Sequence, residues 1–186
     1  MKARARPPQN NAGFSLIEVF VATSILAAAI GALAQLPIVA VRANAAARTA
    51  TITALLAAQK MEQLRALAWG IDQLGLPISD ISTDLTVWPP RAGQGVGLTP
   101  SPADALQRNA PGYYDMLDAN GRLLGGGGPA PTGAVYVRRW SINLLPSSAD
   151  ALVLQVLVAK LGIAAATAER GPDKARFVTM RTRTSW

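Results

Sequence analysis

The chain has 186 residues, half of them apolar and only 5% aromatic, which suits one domain with a modest aliphatic core and an appendage. It carries 18 Lys/Arg against 11 Asp/Glu, and it has no cysteine and no histidine. That composition excludes a thiol nucleophile, a Ser-His-Asp triad, a disulfide framework and an ordinary zinc site. The few acids are scattered, so neither an enzyme nor a bound cofactor is expected.

Residues 1–13, MKARARPPQNNAG, form a polar leader holding three positive charges, Lys2, Arg4 and Arg6. Without them the remainder keeps 15 Lys/Arg against 11 Asp/Glu, and no basic run is interleaved with aromatics as nucleic-acid binding would require. From Pro7 to Val41 the only ionisable side chain is Glu18. The apolar stretch 14–41 exceeds the roughly 20 residues that span a bilayer as a helix. The basic leader places the N-terminus in the cytoplasm. A secretory signal peptide is the rival reading, but its apolar core runs to only about 15 residues. A lone carboxylate in such a helix costs on the order of 3 kcal/mol on insertion scales. Glu18 therefore either snorkels to the headgroups or finds a partner outside its own segment.

The string Gly-Phe-Ser-Leu-Ile-Glu-Val, after a basic leader and before an apolar helix, resembles the processing signal of type IV pilins and type II secretion pseudopilins. The resemblance covers roughly the first third of the chain. It implies cleavage by a prepilin peptidase between Gly13 and Phe14 and N-methylation of Phe14. It also implies that Glu18 is an assembly carboxylate, pairing with the N-terminal amine of a neighbouring subunit. The other partners it implies are the inner membrane and further pilin or minor pilin subunits.

Residues 42–70 continue as the second half of the helix. Ile52, Leu55, Leu56, Leu64 and Leu67 form an imperfect apolar stripe, interrupted by Gln59 and Gln63, and Gly70 is a C-terminal stop. Gly31 and Pro37 fall inside the pattern as helix-kink positions, with close helix packing as the alternative role of Gly31. Pilin helices are similar in carrying such breakers. ATITALLAAQKMEQLRALAW resembles the equivalent part of PilV-like minor pilins and of the I-type pseudopilin.

Residues 71–133 are Gly/Pro-rich and predict an irregular loop, packed on a sheet or partly disordered. Within them, Asn120-Gly121 signals a tight turn between short apolar strands, and GGGGPAP (125–131) reads as a connector. Asp115, Asp118 and Asn120 hint at a calcium loop, but the terminal glutamate is missing and no metal is expected. Residues 134–186 hold the sheet: Tyr136–Leu144, Leu152–Ala159 and Phe177–Arg183 form an antiparallel meander. Trp140, Ile142 and Leu144 share one face of the first strand, opposite Arg139, Ser141 and Asn143. Arg138 and Arg139 read as a solvated strand face, with a binding patch as the alternative. The Ala-rich insert 162–175 reads as a long loop with a helical turn.

The expected fold class is α+β: a long N-terminal helix, its first half transmembrane, packed on a small antiparallel β-sheet. That arrangement is similar to the pilin fold, and VRRWSI resembles the PilV-like minor pilins. The function implied is a minor pilin subunit of a type IV pilus, acting in assembly, initiation or modification. The alternative is a minor pseudopilin of type II secretion, I type. Either would sit in the inner membrane with its C-terminal domain periplasmic, the pilus subunit passing to the cell surface. A surface binding module, with the sheet and loop region taking a ligand such as DNA, is compatible with a minor pilin.

Overall fold

The computed structural model describes residues 13–33, 35–126, 128–162 and 174–185. The chain divides into two units, Met1–Asn44 and Ala45–Trp186.

The first unit contains α1 (Leu16–Leu33) and the start of α2 (Leu36–Ala66). The expected single helix is thus interrupted around Gln35, whose amide donates to the Ala32 carbonyl at 3.3 Å. Gly31 stays in the last turn of α1, and Pro37 is the second residue of α2. A first-turn amide has no intrahelical acceptor, so Pro37 removes no hydrogen bond there. The break lies between the two predicted breakers and not at either one. This N-terminal helical stretch is long and apolar enough to cross a membrane.

In the second unit, α2 buries Thr53, Leu56, Ala57, Lys60, Met61 and Leu64. Their three-four spacing makes one stripe along the helix. Leu55, expected in that stripe, is 65% exposed, because it falls a third of a turn away from Leu56. The helix ends at Ala66 and not at Gly70, which lies in β1 (Trp69–Ile71). Arg181 Nη1 donates to the Leu67 carbonyl at 2.7 Å, meeting the backbone where the helix stops. Gly70 pairs instead with Ile78 of β2 (Pro77–Ser79), antiparallel, and with Thr184 of β8 (Thr184–Ser185), parallel. The sequence reading did not anticipate this small sheet.

The main sheet has β3 (Tyr114–Leu117), β4 (Leu123–Gly125), β5 (Tyr136–Leu145), β6 (Ser148–Lys160) and β7 (Lys174–Thr182). Its order is β4-β3-β5-β6-β7, and every neighbouring pair is antiparallel. The expected meander is present as β5-β6-β7, with β7 starting before Phe177 and ending before Arg183. The β3–β4 hairpin extends it. In that turn Asp118 Oδ1 accepts the amides of Asn120 at 2.8 Å and Arg122 at 2.9 Å, and Gly121 adopts φ +78°, a left-handed conformation that suits glycine.

Strand alternation sorts the two faces. Trp140 and Ile142 of β5 and Leu152, Leu154, Val156 and Val158 of β6 are fully buried in one core with Leu56, Met61 and Leu64 of α2. Tyr114, Met116, Val137 and Ala159 cluster on the opposite face. Leu144, expected inward, is 44% exposed beside the Pro146–Ser147 turn.

The Gly/Pro-rich region is packed. Asp80 Oδ1 accepts the amides of Ser82 and Thr83, and Asp84 and Arg91 form a β-bridge. A Cβ on Gly95 would collide with the Asp84 backbone, so here glycine permits two stretches of main chain to touch. Of the predicted loop 162–175, residues 163–173 lie outside the described residues, and Lys174 and Ala175 belong to β7. The leader before Gly13 and Gly127 of the predicted connector also lie outside them.

Candidate functional site

Two features carry functional chemistry: the start of α1, and a charge cluster beneath the C-terminal part of α2.

At the first, Ser15 begins the helix. Its Oγ accepts the Ile17 amide at 3.3 Å and its carbonyl accepts the Glu18 amide at 3.0 Å. Glu18 occupies the first turn, where the helix dipole favours a negative charge. Ser15 and Glu18 stand at the spacing of a capping pair, a local contribution that motif reasoning passed over. Phe14 is 83% exposed, and no residue of α1 is buried. The two hydroxyl side chains within α1 are satisfied internally: Thr23 Oγ1 donates to the Val19 carbonyl at 2.9 Å, and Ser24 Oγ to that of Phe20 at 2.8 Å. Such closure suits an apolar environment. Gly13, Phe14 and Glu18 thus adjoin one another at one helix start, while Gly31 and Pro37 flank the later interruption.

The second feature escaped the sequence reading. Asp115 of β3 and Arg138 of β5 are direct cross-strand partners. Arg138 Nε donates to Asp115 Oδ1 and Nη2 to Oδ2, both at 2.9 Å. Lys60 Nζ reaches Asp115 Oδ2 at 2.8 Å, donates to the Leu85 carbonyl at 2.6 Å, and lies 4.3 Å from the Trp140 ring centroid. Arg138 Nη1 also donates to the Leu56 carbonyl at 3.1 Å and to Gln59 Oε1 at 3.3 Å. All three charged side chains are buried. Burial pushes the Lys60 ammonium down to about 8. Asp115 opposes that shift and the Arg138 charge adds to it.

These contacts revise one earlier expectation. Arg138 and Arg139 do not form one solvated face or one patch. Arg138 is buried on the helix side, whereas Arg139, on the other face, donates from Nε to Asn109 Oδ1 at 2.9 Å. Asp115 and Asp118 serve separate ends, one the buried cluster and the other the hairpin turn. Among the described residues no group of three metal-ligating side chains converges.

Comparison with protein-family models, with curated proteins and with solved structures finds no match.

Proposed function

We propose that the chain is a pilin-like filament subunit, specifically a minor pilin of the PilV-like kind in a type IV pilus. The observation that carries this reading is Glu18 in the first turn of an otherwise apolar helix, four residues after Phe14 and five after Gly13. A helix with no buried residue has its apolar surface left for lipid or for other helices. The prepilin peptidase would cut between Gly13 and Phe14 and methylate the new amine. The subunit would then leave the inner membrane for a filament. There Glu18 exchanges a lipid-facing site for an ion pair with a neighbour's N-terminal amine. The α+β arrangement, with α2 packed on an antiparallel sheet, supports the pilin-like form of this reading. In this role the protein is structural and not an enzyme.

The test is the mature N-terminus, read by intact mass and N-terminal peptide mass spectrometry on membrane and sheared-surface fractions. N-methyl-Phe14 as first residue is the expected result, and its presence in the sheared fraction assigns a pilus and not a type II secretion pseudopilus. A chain beginning at Met1, or cut well beyond Val41, overturns the pilin reading.

A further inference from the structure

Between Glu18 and Arg42 the chain holds no ionisable side chain, so these two charges delimit the apolar stretch. Both are exposed, and among the described residues neither side chain has a hydrogen bond or an ion pair. Two registers place this stretch in a bilayer. In the first, α1 alone spans, and the membrane ends at the interruption near Gln35. In the second, the membrane continues past the interruption and ends at Arg42.

Length and exposure choose between them. With 18 residues, α1 is about 27 Å long, shorter than the roughly 30 Å hydrocarbon layer. Ending the span there leaves Leu36, Ile38, Val39 and Val41 in water, and each is between 55% and 69% exposed. Arg42 follows Glu18 by 24 residues, about 36 Å of helix, so the two charges reach the headgroup layers on either side of the hydrocarbon. Phe14 to Ile17 add about 6 Å, which one headgroup layer accommodates. The backbone permits the longer span. At the interruption the Gln35 amide donates to the Ala32 carbonyl and the Gln35 carbonyl accepts the Val39 amide, each at 3.3 Å, and Pro37 has no N–H to satisfy. The longer span places one neutral amide, that of the Gln35 side chain, in lipid. The shorter one places four apolar side chains in water.

We propose that the membrane span ends at Arg42 and that the Arg42 guanidinium binds phospholipid phosphates at that border. Its aliphatic stem lies along the apolar helix while its planar fork matches phosphate oxygens. Lipid is the occupant because the apolar surface runs all round. Ile17, Phe20, Ile25 and Leu26 are spread around α1 and are each at least 59% exposed, whereas one partner helix would cover a single stripe. The proposal rests on the helix crossing a membrane and not on the pilin reading, since a mature chain beginning at Met1 leaves it standing.

The chain has no cysteine, so a single nitroxide label can be placed by substitution. The full chain, reconstituted in vesicles of phosphatidylethanolamine and phosphatidylglycerol, carries it at Ile25→Cys, Gln35→Cys, Val39→Cys, Asn44→Cys or Ala47→Cys in turn. Collision of the label with oxygen is compared with collision with a water-soluble nickel chelate. Oxygen is expected to dominate from Ile25 to Val39, and nickel at Asn44 and Ala47. Dominant nickel access at Gln35 and Val39 overturns the proposal in favour of the shorter span, and nickel access at Ile25 removes the membrane crossing itself. Nothing charged lies between Arg42 and Arg48, so Arg42→Gln frees the helix to sink. That variant is expected to raise the oxygen-to-nickel ratio at Val39 about twofold, and Arg42→Lys to keep it near wild type. A ratio unchanged in Arg42→Gln overturns the phosphate contact.

Discussion

Arg138 grips both carboxylate oxygens of Asp115 from the facing strand, each contact 2.9 Å long, and Lys60 closes on the same carboxylate from the helix above. The triad joins α2, β3 and β5 at one buried point, so its members are unequal in what their loss does. Removing the acid leaves two buried cations without the carboxylate that contacts both, and only Asp84 acting on Lys60. Asp115→Asn is expected to lower stability by about 3–5 kcal/mol. Removing Lys60 leaves the bidentate Asp115–Arg138 pair intact and lifts the excess charge, so Lys60→Met is expected within about 2 kcal/mol of wild type, in either direction. The double variant should recover part of what Asp115→Asn loses. Urea melts of the four proteins decide it. Equal losses in the two single variants would show that the residues act independently.

Lys60 also sets a pH dependence. Its ammonium titrates near 8 when folded and near 10.5 when unfolded. Below pH 8 both states are protonated, and the burial penalty is present in full. Between about 8 and 10.5 the unfolded chain holds more protons than the folded one, so this residue makes stability rise with pH, by an amount bounded at roughly 3 kcal/mol. The unfolding free energy of wild type minus that of Lys60→Met, followed from pH 7 to 10, should climb across that window. A flat or falling difference would mean that Asp115 and Trp140 hold the ammonium charged throughout.

Arg183 pins the small sheet. Its Nη1 donates to the Gly70 carbonyl at 3.1 Å and the Ile78 carbonyl at 2.7 Å, and Nη2 to Ser79 Oγ at 3.0 Å. The guanidinium carbon lies 3.6 Å from the Trp69 ring centroid, and Nε makes an ion pair with Asp150 at 3.2 Å. A two-residue strand such as β8 has little pairing of its own, so the side chain does the holding. Arg183→Ala is expected to release β1, β2 and β8 while the five-stranded sheet survives. In hydrogen exchange, the amides of Ile71 and Asp80 should lose protection and those of Ile142 and Leu154 should keep it. Lysine at this position should rescue only partly, because it cannot reach two carbonyls and a hydroxyl at once.

How far the sequence speaks depends on the range of the interaction. The strands β5, β6 and β7 are readable because their apolar alternation is local. The α2 stripe was half-read, since the apolar letters around Leu56 and Leu64 mark the face but Lys60 and Thr53 share it. Lys60 looks like a solvent residue until a carboxylate from β3 and a tryptophan from β5 arrive opposite it. A signal was present for Arg138, because alternation places it on the same face as Trp140 and Ile142. An arginine on a core face needs a buried acid, and Asp115 on the neighbouring strand β3 was available. The small sheet was not legible, since β1, β2 and β8 are two or three residues long and the β1–β8 pairing joins chain positions more than a hundred residues apart. The interruption near Gln35 was flagged by Pro37 but displaced, because proline is accepted in a first helical turn.

Glu18 gives the test that separates assembly from simple tolerance of a surface-seeking charge. Replacing it with valine removes a carboxylate that costs on the order of 3 kcal/mol on membrane-insertion scales. Glu18→Val should therefore partition into membranes at least as well as wild type. The globular unit should melt as before, because no residue of α1 contributes to its core. If Glu18 pairs with a neighbour's amine, the same substitution should nevertheless reduce the protein in sheared filaments by at least about tenfold, the loss of roughly 1.4 kcal/mol at each contact. Glu18→Asp, which keeps the charge on a shorter stem, should fall between. Membrane retention and filament incorporation then move in opposite directions, which a snorkelling carboxylate would not produce. Quantitative immunoblots of the inner-membrane and sheared fractions read both numbers from one culture, and parallel changes in the two fractions would remove the assembly role.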